Sequence, residues 1–180
     1  MKILLLNGSP RLAGNTEVAL KVLKEEVEKN IKGEIETINL PKLQIKGCLG
    51  CNYCKTSGGN CITKDDGQMV AEKILESDVI IFASPVYWWG ITSQMKAAID
   101  RIYMKGEFLP QKSKKIGLIT VGAAELSDEE YDIIKRQFKC ICEYLKWDFV
   151  GNIDISAYEK GDILKDTTKI TELKDFWKKI

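Results

Sequence analysis

Short apolar runs alternate with longer stretches of helical period along the whole chain, and this alternation constrains the fold more than any other feature. The runs have the length and composition of β-strands, whereas the stretches between them repeat apolar residues about every 3.6 positions, as amphipathic helices do. We predict strands at residues 2–7, 34–40, 78–83, 115–121 and 147–155. We predict a first helix that starts at Asn15 or Thr16 and further helices at about 65–76, 93–103, 128–145 and 168–179.

Strands that alternate with helices in this way are typical of βαβ units around a parallel sheet. Residues 78–83 (DVIIFA) are continuously apolar, like a central strand buried on both faces, whereas residues 34–40 (EIETINL) alternate like an edge strand. The 180 residues suit one compact domain. We therefore predict a single α/β domain over residues 1–180, with a doubly wound five-stranded parallel sheet and helices on both faces.

Composition excludes several kinds of function. The chain has no histidine, which removes Ser-His-Asp and Cys-His catalysis and histidine-containing zinc sites. Its 27 basic and 26 acidic residues leave a net charge of +1, which argues against a nucleic-acid partner. The apolar N-terminal run is too short for a signal peptide, and no run reaches the roughly 18 residues of a membrane span. We expect a cytoplasmic protein with reduced cysteines and no membrane partner, whose chemistry runs on another group or on a cofactor.

A glycine-rich loop at residues 7–16 (NGSPRLAGNT) joins the first strand to the first helix. Gly8 and Gly14 allow close backbone approach, and the helix N-terminus offers unpaired N–H groups to an anion. The candidate phosphate ligands in this loop are Ser9, Arg11, Asn15 and Thr16. A monophosphate fits best, because the dinucleotide pattern GxGxxG and the nucleoside-triphosphate pattern Gly-Lys-Ser/Thr are missing. The alternative is an ordinary helix-capping loop.

A second loop, SPVYWWG at residues 84–90, follows the third predicted strand at the same edge of the sheet. Three adjacent aromatic side chains cannot all point into the core, so at least one is available to a flat ligand ring or to a partner subunit. The candidate ring contacts are Pro85, Val86, Tyr87, Trp88, Trp89 and Gly90. The alternative is that the aromatic side chains are simply core residues.

Four cysteines lie close together in a loop insertion at about residues 41–64, with the spacing C-x2-C-x2-C-x6-C. They are Cys48, Cys51, Cys54 and Cys61. Closely spaced thiolates of this kind can ligate a 4Fe-4S cluster. Zinc usually takes two separated C-x2-C pairs, and metal-free reduced thiols are the remaining alternative. Cys140 and Cys142 lie two apart on a predicted helix, so we interpret them as core or surface thiols.

The same loop carries Lys42, Lys46, Lys55 and Lys64 and no acidic residue. This charge has three explanations. It would offset an anionic cluster, dock an acidic electron carrier such as ferredoxin, or keep a solvated loop soluble.

Together, NGSPRLAGNT and SPVYWWGITSQMKAAIDR resemble the paired signature of the flavodoxin-like NAD(P)H-dependent FMN reductases and their relatives, the iron-sulfur flavoproteins. The resemblance implies a flavodoxin-like fold in which the first loop holds the FMN phosphate and the aromatic loop contacts the flavin. It also implies that Gly122 and Ala123 lie along the ring and that the compact cysteine motif holds a cluster. The family resemblance further implies a homodimer or homotetramer, with Trp88 and Trp89 as candidate contacts.

We therefore expect an FMN-dependent oxidoreductase with a 4Fe-4S cluster that relays electrons between a ferredoxin-like carrier and FMN, and with a small-molecule acceptor. The flavin carries the chemistry, so no catalytic side chain is expected. The first alternative is an NAD(P)H-dependent FMN or quinone reductase without a cluster. The others are a non-enzymatic flavodoxin-like electron carrier and a redox sensor that uses its cysteines as a switch.

Overall fold

A computed structural model describes residues 1–180 and contains one five-stranded sheet. The strands are β1 (Lys2–Asn7), β2 (Glu34–Asn39), β3 (Val79–Pro85), β4 (Lys115–Gly122) and β5 (Asp148–Ser156). All four neighbouring pairs are parallel, in the order β2-β1-β3-β4-β5. The chain moves to the other side of β1 between β2 and β3, and ligands of such sheets bind at the carboxyl ends of the strands near this switch point.

Helices cover both faces of the sheet, as predicted. They are α1 (Asn15–Asn30), α2 (Tyr53–Thr56), α3 (Gly67–Glu76), α4 (Ser93–Arg101), α5 (Glu129–Leu145) and α6 (Thr167–Asp175). One buried cluster joins the sheet to α3, α4 and α5, and a second joins its other face to α1 and α6. The predicted α/β architecture is therefore confirmed.

The burial of the strands follows their composition. All of β3 except its last residue is buried, whereas most of β2 is exposed or half-buried at the sheet edge. Two helices are shorter than predicted, because the chain tightens into 3-10 turns at Ile102–Lys105 and Phe176–Lys179, as helix ends often do. The short helix α2, inside the cysteine loop, was not predicted.

None of the helices combines the length and the apolar character that crossing a bilayer requires.

Candidate functional site

An open cleft of about 520 Å³, including its mouth, lies at the carboxyl ends of β1, β3, β4 and β5. Nine of the twelve predicted cofactor residues line it: Ser9, Arg11, Asn15, Thr16, Pro85, Val86, Tyr87, Gly122 and Ala123. Trp88, Trp89 and Gly90 lie outside this lining. The parallel register brings the loops together, because each of them leaves its strand at the same edge of the sheet.

Backbone and hydroxyl hydrogen bonds fix the glycine-rich loop in place. The Gly8 N–H donates to the Ala83 carbonyl at 2.8 Å, and the fully buried Thr92 hydroxyl donates to the Gly8 carbonyl at 2.8 Å. Thr92 also caps α4, and its own N–H donates to the Ser84 hydroxyl at 3.0 Å. This one threonine therefore joins the glycine-rich loop to the start of the aromatic loop and to the N-terminus of α4. Sequence reasoning did not identify it.

The glycine-rich loop presents several donors to the cleft. Ser9 and Thr16 are nearly buried and line it, and no side chain caps the N-terminus of α1. The first turn of a helix has no intrahelical acceptors for its N–H groups, so those of α1 remain available to an anion. Arg11 adds a positive charge at the rim.

The side chain of Asn15 is already engaged. Its amide nitrogen donates to the carbonyls of Glu159 at 2.8 Å and Ala157 at 3.3 Å, and its oxygen accepts from the Gly161 N–H at 2.9 Å. Asn15 thus fastens the loop after β5 against the glycine-rich loop, and its backbone N–H is what remains for a phosphate.

That loop adds Ala157 and Tyr158 to the cleft lining, which sequence reasoning missed. The available signal was position, since both residues directly follow the fifth strand and therefore lie at the ligand-binding edge.

The aromatic loop ends in a tight two-residue turn. The Tyr87 N–H donates to the Gly90 carbonyl at 2.8 Å, and the Gly90 N–H donates back to the Tyr87 carbonyl at 3.1 Å. Trp88 and Trp89 occupy the turn with φ angles of 49° and 55°, in the left-handed region that such turns usually fill with glycine or asparagine. Trp88 is 92% exposed and Trp89 is 56% exposed. The interpretation of this pair as core residues is therefore wrong.

Gly122 ends β4 in a crowded position. A β-carbon at this glycine would lie 2.6 Å from the Tyr131 hydroxyl and would also collide with Glu130. The Tyr131 hydroxyl donates to the Ala124 carbonyl at 2.9 Å, and burial, together with the charge of Glu130, raises the pKa of Tyr131 to about 12. Tyr131 therefore stays protonated at physiological pH and supports the loop that continues through Ala123.

The four loop cysteines line one small hollow, next to Arg101 and Tyr103. Cys48 and Cys51 are exposed, Cys54 and Cys61 are half-buried, and none forms a disulfide. As the loop stands, no three cysteine or acidic side chains are grouped to hold a metal ion. The predicted cluster is therefore not established by this arrangement.

The two remaining cysteines lie on α5, outside that hollow. Cys142 packs in the core, where burial, with a contribution from Asp148, raises the pKa of its thiol to about 12. Cys140 is exposed. These positions agree with the predicted core and surface thiols.

A buried ion pair closes the base of the cysteine loop. Arg101 Nη1 lies 2.8 Å from Asp65 Oδ2, and the two side chains are 1% and 5% exposed. Burial is the largest single influence on both pKa values and opposes both charges. The hydrogen bonds and the opposite charge of the partner together outweigh it, so the pKa of Asp65 is lowered and that of Arg101 is raised. Neither residue was singled out from the sequence.

Comparison with known proteins places these features in a family context. A family model described as NADPH-dependent FMN reductase matches residues 1–137. An iron-sulfur flavoprotein of Archaeoglobus fulgidus is 37% identical over 72% of this chain and 58% of its own length. The iron-sulfur flavoprotein MJ1083 of Methanocaldococcus jannaschii is 35% identical over 74% of this chain and 68% of its own length. The putative NAD(P)H-dependent FMN-containing oxidoreductase YwqN of Bacillus subtilis is 31% identical over 92% of this chain and 91% of its own length.

Solved structures agree on the fold. The Trp repressor binding protein of Bacillus subtilis superposes with a TM-score of 0.71 at 24% identity, covering 97% of this chain and 99% of that one. An azoreductase of Bacillus anthracis superposes with a TM-score of 0.76 at 15% identity over the whole of both chains. The predicted flavodoxin-like fold is confirmed by the sheet order and by these likenesses.

Proposed function

The chain belongs to the NADPH-dependent FMN reductase family, and from this premise we propose that it is an FMN-dependent oxidoreductase whose cofactor binds in the cleft at the carboxyl ends of the strands. One observation carries the proposal. Residues from the glycine-rich loop, the aromatic loop and the loops after β4 and β5 line a single open cleft. This cleft joins the uncapped N-terminus of α1 to apolar side chains that include Val86 and Val121. A flavin mononucleotide needs this combination, because it carries a phosphate and a largely apolar ring.

In this proposal the N-terminus of α1 binds the phosphate. Its free N–H groups and the hydroxyls of Ser9 and Thr16 donate hydrogen bonds, Arg11 supplies charge, and Asn15 contributes its backbone N–H. Donors of this kind suit a dianionic monophosphate, because hydrogen bonds to charged oxygens are stronger than neutral ones.

In this proposal, the isoalloxazine ring lies against Pro85, Val86 and Tyr87 of the aromatic loop and along Gly122 and Ala123. When bound, FMN would accept a hydride and release its electrons singly or as a pair. The protein orients the ring, excludes water from one face and keeps the Tyr131 hydroxyl protonated behind Gly122. With no histidine in the chain, no imidazole is available to move protons at the ring.

We further propose that Cys48, Cys51, Cys54 and Cys61 ligate a 4Fe-4S cluster. Two observations support this. All four thiols line one hollow together with Arg101. The Nε of Arg101 is buried and has no hydrogen-bond acceptor within the chain. A cationic donor without a partner suits an anionic occupant. Such a cluster would exchange single electrons with a ferredoxin-like carrier. The positive loop lysines would attract an acidic carrier of this kind.

The alternative is an NAD(P)H-driven reductase of FMN, quinones or other small acceptors without a cluster. It is favoured by the likeness to YwqN, which covers 92% of this chain and 91% of that protein.

We also propose a cytoplasmic homodimer or homotetramer with Trp88 and Trp89 at a subunit contact. Two adjacent tryptophans held exposed in a left-handed turn are otherwise costly, because they combine backbone strain with apolar surface in water.

The deciding experiment is a determination of flavin, iron and acid-labile sulfide, with an absorption spectrum, on protein purified without oxygen. One FMN with about four iron and four sulfide per chain would support the full proposal, in line with a single cubane. Flavin without iron would support the NAD(P)H-driven alternative, and protein without flavin would overturn both.

A further inference from the structure

A single arginine joins the two ends of the cysteine loop. Besides its ion pair with Asp65, Arg101 Nη1 donates to the Lys46 carbonyl at 3.0 Å, and Nη2 donates to the Thr63 carbonyl at 3.3 Å. Asp65 completes this arrangement by accepting from the Lys46 N–H at 2.9 Å. Lys46 precedes the first loop cysteine and Thr63 follows the last, so the whole cysteine motif is held between groups bonded to one guanidinium.

The same guanidinium has an unused donor. Arg101 Nε is buried and has no hydrogen-bond partner, although its neighbours Nη1 and Nη2 are both satisfied. Buried cationic donors without acceptors are costly, and native proteins seldom leave them so. Arg101 lines the same hollow as the four cysteines, which have no other arginine in their lining. The residue that carries this unused donor therefore borders the hollow that the four thiols line.

We propose that Arg101 is a positioning residue for the cysteine site: it holds both ends of the loop through Lys46, Thr63 and Asp65, and its Nε donates to the sulfur-rich anion that fills the hollow. The inference rests on the proposed cluster. A cation that donates to cluster sulfur stabilises the more negative, reduced state, so Arg101 raises the reduction potential as well as retaining the cluster.

Two substitutions separate the charge from the fork-shaped donor set. Arg101→Lys keeps a cation but lacks Nε and cannot bond Lys46, Thr63 and Asp65 together. Arg101→Met removes both the charge and the donors. Arg136→Met is the matched control, because Arg136 is exposed on α5 and does not line the hollow.

The measurements are iron and sulfide per FMN and the midpoint potential of the iron-sulfur signal, followed by electron paramagnetic resonance during an anaerobic redox titration. We expect Arg101→Met to keep its FMN and lose most of its iron. Arg101→Lys should keep part of its iron with a lower midpoint potential, and Arg136→Met should match the wild type in every readout. Retained FMN reports that the domain is folded.

Each other outcome overturns a defined claim. Wild-type iron content and midpoint potential in Arg101→Lys would overturn the inference and leave the proposed cluster intact. Equal loss of FMN and iron in both Arg101 variants would show that the arginine only supports the domain, which also overturns the inference. A wild-type protein that holds no iron would overturn the cluster proposal and the inference together.

Discussion

The cleft and the cysteine loop lie in one small domain but are built in different ways. The cleft is assembled from the ends of four paired strands, and its first loop is fixed by Gly8 and the buried Thr92. The cysteine loop contains no strand, and its only helical elements are a 3-10 turn at Leu40–Lys42 and the four-residue helix α2. Two of its four cysteines are exposed. The buried Arg101–Asp65 pair closes its base. The fold therefore prearranges the first region, whereas the second depends on a few side-chain contacts.

This difference predicts that the two regions can be emptied independently, and the largest effect should follow from removing a thiol. Cys51→Ser should abolish iron binding, because a cluster loses one of its four ligands, and should leave FMN content unchanged, because Cys51 does not line the cleft. Iron, sulfide and flavin assays on anaerobically purified protein measure this. The control is Cys140→Ser, an exposed thiol on α5 that should bind iron and FMN normally. Concurrent loss of FMN in Cys51→Ser would contradict the independence of the two regions.

The reverse experiment removes the two cleft hydroxyls. Ser9→Ala combined with Thr16→Val deletes two donors to a charged phosphate, which costs about 3 kcal/mol and lowers FMN affinity about a hundredfold. Titration of the apoprotein with FMN, followed by quenching of flavin fluorescence, measures the change. Iron content should stay at the wild-type value. Thr171→Ala, on the exposed surface of α6, serves as the control and should bind FMN like the wild type. Unchanged affinity in the double variant would show that the phosphate binds elsewhere.

A third substitution tests whether the fold itself prearranges the cleft. Thr92→Val keeps the side-chain shape but leaves the Gly8 carbonyl and the Met95 N–H without their hydroxyl partner, at a cost of about 2 kcal/mol in unfolding free energy. We expect weaker FMN binding and normal iron content. Urea unfolding and the same flavin titration measure both effects. Ser93→Ala, whose exposed hydroxyl bonds only its neighbour Gln94, should change neither. A stable Thr92→Val variant with wild-type FMN affinity would mean that the loop needs no such tie.

The difference between the cleft and the cysteine loop also explains how much of each could be predicted from the sequence. The strands and the glycine-rich loop follow from periodicity and turn residues, which are local signals, and the parallel arrangement then brings the strand ends together. The part played by Asn15 was not predictable in the same way. Its residue type suggested a phosphate donor, but its partners lie more than 140 positions away, at Ala157, Glu159 and Gly161. Only the folded chain shows that these groups meet.

The ion pair at the base of the cysteine loop was also not predictable, because its two residues are distant in the sequence. Arg101 ends α4, and Asp65 lies 36 positions earlier, in the loop before α3. Arg101 belongs to the quoted signature, but nothing in that signature indicates that its side chain pairs with Asp65. The left-handed turn at Trp88 and Trp89 was hidden for another reason, since turn rules assign such positions to glycine or asparagine. Local patterns thus predicted the cleft better than the loop, because the loop depends on contacts between distant residues.

A change at the opposite edge of the sheet should affect both regions alike, and its effect should be the smallest. Lys114 is buried before β4, and its Nζ donates to the carbonyls of Leu75 at 2.6 Å and Ser77 at 2.5 Å. Burial and the charge of Lys112 lower the pKa of Lys114 from 10.5 to about 8, and the charge of Asp78 opposes this shift.

The unfolded chain keeps this lysine proton up to about pH 10.5, so between pH 8 and that value the unfolded state binds more protons than the folded state. The lysine's contribution to unfolding free energy therefore rises with pH, by about 1 kcal/mol from pH 8 to pH 9. Lys114→Met lacks this contribution, and the titrations of Tyr131 and Cys142 cancel because both proteins share them. Urea unfolding of wild type and variant at the two pH values measures the difference. The FMN and iron contents of the variant should equal those of the wild type. Parallel stability profiles would show that Lys114 titrates normally, and selective loss of one cofactor would show that this edge is coupled to one region rather than to the domain as a whole.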